Sequence, residues 1–117
     1  MRKTYRYKNL QFPVQDETEV TFEVEFISDG NTGQTVVNVP GPNDKELENS
    51  DKKVIGKGKE LRDGFTICFS DIANLVPEED EIKINYKIND TTIVQHVNQK
   101  TEEERPIIVL AIKFPQP

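Results

Sequence analysis

Tryptophan is absent from this chain of 117 residues, and cysteine and histidine occur once each. A lone cysteine, Cys68, excludes an intramolecular disulfide. With the missing Trp it also excludes the Cys…Trp…Cys signature of immunoglobulin domains. One thiol and one imidazole, His96, fall short of the clustered ligands that zinc and other transition metals need. Long apolar runs are missing too. The longest, "IIVLAI", is six residues, against the roughly 20 of a membrane helix. The start, "MRKTYRYKNLQF", has basic residues but no apolar h-region, so it is not a signal peptide. These absences predict no membrane insertion and a cytoplasmic location, with Cys68 as a small buried hydrophobe.

Positive charge is outnumbered by negative charge outside the N-terminus. The net charge is −6, yet Arg2, Lys3, Arg6 and Lys8 make the first eight residues basic. The acidic body would repel phosphates, so no nucleic-acid partner is expected. The basic start reads as a segment that pairs with acids of the same chain. The length suits one domain, residues 1–117, able to build a core without staples.

What is present is alternation with a period of two. "VTFEVEFI" places Val20, Phe22, Val24 and Phe26 on one face and Thr21, Glu23 and Glu25 on the other, a half-buried strand. "SDGNTG" turns the chain, "QTVVNV" returns, and Pro40 and Pro42 end that strand. In "GFTICFS" the apolar set Phe65, Ile67 and Phe69 is expected to look inward. "SDIANLVP" reads as one short helical turn ended by Pro77. "EIKINYKINDTTIVQHV" is a hairpin about Asn89-Asp90. Its simplest register sets Tyr86 opposite Ile93, Ile84 opposite Gln95 and Ile82 opposite Val97, leaving His96 on the polar face.

The last strand, "PIIVLAIKF", is apolar on both faces. Ile107, Val109 and Ala111 point one way, and Ile108, Leu110, Ile112 and Phe114 the other. Such a strand must be covered on both sides. Residues 41–61 read as a long connection that contributes a short strand or edge segment through Val54 and Ile55. They carry few apolar anchors for a lid, so Ile108, Leu110, Ile112 and Phe114 are the candidate interface with another subunit. About seven strands and at most one helical turn predict an all-β protein, an antiparallel β-sandwich.

The chemical motifs are weak. "GKGKEL" lacks the spacing and the Ser/Thr of a phosphate-binding loop, and it reads as a glycine-permitted bend with Lys57 and Lys59 in solvent. Asp29 with Asn31, and Asp44 with Glu46 and Glu48, offer oxygen ligands but not a calcium loop. Ser50 and Ser70 have no nucleophile elbow. Glu78 with Glu79, and Glu102 to Glu104, lie in charged turns. Exposed aromatics for a saccharide reduce to Tyr5, Tyr7 and Phe12, and "NDT" at Asn89 fits a glycosylation acceptor. The expectation is a non-catalytic protein without cofactor or metal, acting through a protein partner or as a homo-oligomer. The alternative is a sandwich that binds a saccharide or cation through its loops.

Overall fold

Alternation resolves into nine strands and one helical turn. The computed structural model describes residues 2–117. In chain order the elements are β1 (Thr4–Gln11), β2 (Glu19–Phe26), β3 (Asn31–Asn38), β4 (Lys45–Glu48), β5 (Asp51–Lys57), α1 (Gly58–Leu61), β6 (Thr66–Asn74), β7 (Glu81–Ile88), β8 (Thr91–Gln99) and β9 (Ile107–Lys113). A five-stranded sheet runs β1-β9-β6-β3-β4, and a four-stranded sheet runs β5-β2-β7-β8. All pairings are antiparallel except β1 with β9. The chain is an all-β sandwich, as expected, with two strands more than the alternation predicts.

The extra strands come from residues 41–61. This segment neither covers β9 nor stays irregular. It forms β4 at one edge of the five-stranded sheet and β5 at the matching edge of the other. Asn49, at φ 54, turns the chain between them, and its side chain accepts a hydrogen bond from the Gly33 amide at 3.0 Å. Leu47 and Ile55 are the buried anchors.

The inner faces meet in one core. Phe22, Ile82, Ile84, Tyr86 and Ile88 from the four-stranded sheet are fully buried against Val37, Ile72, Ile108, Leu110 and Ile112 from the other. Each such side chain contributes roughly 1.5–3 kcal/mol of gross transfer free energy.

Four sequence-based placements are corrected. First, the candidate interface residues Ile108, Leu110, Ile112 and Phe114 are 0–1% exposed. They are the inner row of β9, because a sandwich core takes the bulkier of two apolar rows. They cannot meet another subunit without unfolding. The outward row is Ile107, Val109 and Ala111, each half-buried. Second, β6 runs straight through Asn74, so "SDIANLVP" forms no helical turn; the one turn of helix is α1, at Gly58–Leu61. Asn74 is held by the sheet and by its side-chain amide, which donates to the Asp29 carbonyl at 2.9 Å.

Third, the hairpin has the expected two-residue turn, with Asn89 and Asp90 both at positive φ, the geometry of a type I′ turn. Past Lys87 opposite Thr92, however, a bulge at Ile93 shifts the register. Tyr86 then opposes Val94, Ile84 opposes His96, and Ile82 opposes Asn98. His96 therefore faces inward, 1% exposed. The polar side chains are satisfied there. Asn98 Nδ2 donates to the carbonyls of Gln99 and Glu103, at 3.0 and 2.9 Å. That fixes its Oδ1 toward His96 Nε2, 2.8 Å away. Fourth, β6 turns Phe69 outward rather than into the core, and this outward row forms the candidate site.

Candidate interaction face

The apolar alternate of β6 points out. Thr66, Cys68, Ser70, Ile72 and Asn74 are buried, whereas Phe65 and Phe69 are 51% and 43% exposed. The large side chains of the facing sheet account for the inversion. Phe22 and Tyr86, whose ring centroids lie 6.1 Å apart, occupy the middle of the core. Small residues opposite them leave room, as interdigitating layers require. The Tyr86 hydroxyl donates to Ser70 Oγ at 2.8 Å, and Ser70 in turn bonds Thr35 Oγ1 at 2.8 Å. Two aromatic side chains on β6 would overfill this space, while the hydroxyl chain is buried at little cost because it is paired. The exception is Thr66 Oγ1, which has no partner among the described residues.

Outward-facing residues can be followed by register across the five strands. At the centre the row reads Arg6, Val109, Phe69, Val36, Glu46 on β1, β9, β6, β3 and β4. On one side of it lie Ala111, Ile67 and Asn38. On the other lie Thr4, Ile107, Asp71, Gln34 and Glu48. The middle of the sheet is thus apolar, the β1 edge basic and the β4 edge acidic. A shallow groove of about 360 Å³ runs between Arg6 and Lys8 on one wall and Phe65 and Ile67 on the other. The Lys113 ammonium sits 4.9 Å from the Phe65 ring centroid at its end.

Of the residues singled out by sequence, Glu46 and Glu48 lie on the β4 edge of this face, and several others lie elsewhere and are engaged. Gly58 packs where a Cβ would stand 2.2 Å from the Gln15 carbonyl oxygen. The amides of Gly58 and Lys59 donate to the carbonyls of Thr18 and Asp16, so they do not face an anion. Lys57 and Lys59 both reach Glu17, at 3.3 and 2.9 Å. Asp44 accepts from the Val39 amide, and Asn31 accepts from Ser28 and Asn74. Asn89 Oδ1 accepts from the Thr21 amide at 2.8 Å. Among the described residues no three of His, Cys, Asp and Glu converge as a metal site. No helix there is long and apolar enough to cross a membrane.

Tyr5 and Tyr7 are half-buried and pack edge-on against His96 rather than forming an open platform. The Tyr7 hydroxyl lies 2.7 Å from His96 Nδ1. With Nε2 donating to Asn98, Nδ1 is the acceptor and the imidazole is neutral. Burial holds its pKa below the usual histidine value. Burial likewise pushes the Cys68 thiol up to about 12, far from a reactive thiolate. The basic N-terminus does pair within the chain at two points, Arg2 with Asp71 at 2.5 Å and Lys3 with Glu102 at 3.1 Å.

No family model matches the sequence, and neither a curated protein nor a solved structure matches the chain. The face was missed in the sequence because alternation identifies two sets of side chains without saying which is inside.

Proposed function

We propose that this chain is a non-catalytic interaction module, a subunit or accessory of a larger assembly, that docks a protein through the outer face of its five-stranded sheet. The observation that carries the reading is the contiguous outward set of Phe65, Ile67, Phe69, Val36 and Val109. Isolated exposed apolar residues need no explanation. A contiguous apolar patch with polar rims is the usual mark of a contact surface. Aromatic side chains at its centre are the type that dominates binding energy. The neutral, doubly bonded His96 and the raised Cys68 thiol fit a role without acid–base or nucleophilic work. A reducing, cytoplasmic setting suits a chain whose one thiol is buried.

The reading is tested with a photo-reactive phenylalanine analogue placed at position 69 and, as control, at exposed position 97 on the other sheet. Irradiation in the source cell is expected to give a product of defined mass from position 69 and none from position 97. Absence of any product from position 69, with the protein folded, overturns the reading.

A further inference from the structure

We infer that the partner of this face is a second copy of the same chain, related by a two-fold axis that runs along β6; the inference rests on the reading of the face as a docking surface. The central row carries the argument. Arg6, Val109, Phe69, Val36 and Glu46 read, from edge to edge, cation, valine, phenylalanine, valine, anion. A two-fold axis in the contact plane and parallel to β6 exchanges the two edges. It lays Arg6 over Glu46 of the second copy, Val109 over Val36, and Phe69 against Phe69. Every residue in the row then meets a chemical complement. This is the self-complementarity that an isologous contact requires.

The perpendicular in-plane axis fails on the same row. It would stack the β1 edges on each other, setting Arg6 against Arg6 with Lys8 nearby, and Glu46 against Glu46. Like charges facing across an interface disfavour association. Among the described residues neither Arg6 nor Glu46 has an ion-pair partner within its own chain. Both are exposed and so free to reach across. Asp71 is the one anion close to the axis, and its own Arg2 neutralises it at 2.5 Å. Aligned sheets cross at about 30°, so the axis lies roughly 15° from each β6 and the outer rows splay apart.

The size of the face sets the strength. Five strands spaced at roughly 4.8 Å, with outward rows spanning roughly 24 Å of strand, present roughly 550 Å² per copy. Twice that area is at the low end for specific contacts, which predicts a reversible dimer rather than a permanent one.

Sedimentation equilibrium between about 10 μM and 1 mM tests the inference in the range such weak contacts occupy. The average mass is expected to rise with concentration from 13.4 kDa toward twice that value. Phe69→Asp is expected to stay monomeric with an unchanged circular dichroism spectrum. Arg6→Glu and Glu46→Arg should each weaken self-association at least about tenfold by placing like charges together. Mixed in equal amounts, the two variants should recover a heterodimer, because each then supplies the charge the other lacks. A protein that stays at 13.4 kDa up to about 1 mM overturns the second copy, as does a dimer indifferent to Phe69→Asp or a mixture that fails to recover. A monomer whose position-69 probe captures a different protein discards the second copy and keeps the docking reading. A monomer with no capture discards both.

Discussion

Across the outer face of the four-stranded sheet, Lys52, Glu23 and Lys87 lie side by side on β5, β2 and β7. The corresponding surface of the five-stranded sheet carries Val109, Phe69 and Val36. On the first face Glu25 receives Lys87 at 3.2 Å and Asn85 at 3.3 Å. On the second, phenyl rings meet solvent. Both sheets bury their inner faces in one core, so the demands of folding do not explain the difference. A solvated sheet face is ordinarily polar. Apart from the exposed Val54 and Val97, the charged face conforms to that rule and the apolar one does not. The departure is the feature on which the proposed docking face rests.

The sharpest way to break this comparison is to place the same charge on the two sides of the five-stranded sheet. Leu110→Asp puts a carboxylate into the core among fully buried side chains. It should cost more than about 4 kcal/mol and leave the chain unfolded or nearly so. Phe69→Asp, on the outer face, should change stability by less than about 1 kcal/mol. Urea unfolding followed by circular dichroism reads both. Equal losses from the two variants would mean that Phe69 is a core residue and that the outer face has no separate role.

A smaller effect separates the His96 edge from the charged surface. Burial lowers the His96 pKa in the folded state, while the unfolded imidazole titrates near pH 6.5. Above about 6.5 both states are neutral and His96 contributes no pH dependence. As the pH falls below that value the unfolded state binds the proton first, so stability declines until folded His96 itself protonates. The carboxylates of Glu25, Glu102 and Glu103, held low first by Lys87, Tyr5 and the Lys3 amide respectively, add a second decline only below about pH 4.5. His96→Phe should flatten the first decline and leave the second, although the variant is less stable overall because the Tyr7 hydroxyl loses its acceptor. Urea midpoints measured from about pH 4 to 8 check this. An unchanged slope between about pH 5 and 6.5 would assign the first decline to another group.

The smallest effect is expected on the charged face. Lys87→Met removes the ion pair with Glu25 and should move the melting temperature by less than about 4 °C, since exposed pairs add little. A larger drop would show that this face, too, is tied into the fold.

The hairpin and the ends of its turn were legible in the sequence. Two alternating runs flank Asn89-Asp90, and residues that tolerate positive φ decide such a turn locally. The His96 environment was not legible. A single bulge at Ile93 moves every later residue of β8 to the other face, and no local pattern marks it. What favours the bulge is distant: Tyr7 on β1, 89 residues away, offers a hydroxyl to Nδ1. The strands formed by residues 41–61 were half legible, through Val54 and Ile55, because an edge strand needs one partner and shows only a short apolar signal.

By itself the sequence determined the class. Period-two alternation, punctuated by Gly, Pro, Asn and Asp, specifies strands and turns through backbone sterics that each residue carries with it. A doubly apolar β9 likewise implies a central strand. Only the tertiary structure decided which row faces in. On β6 the choice was set by the space that Phe22 and Tyr86 leave and by the Ser70 and Thr35 hydroxyls that the Tyr86 hydroxyl joins. On β9 it was set by the greater bulk of Ile108, Leu110, Ile112 and Phe114, which fill the core. Alternation is symmetric between the two faces of a strand. The asymmetry comes from volume and hydrogen bonding across the sandwich, and those belong to pairs of strands far apart in the chain.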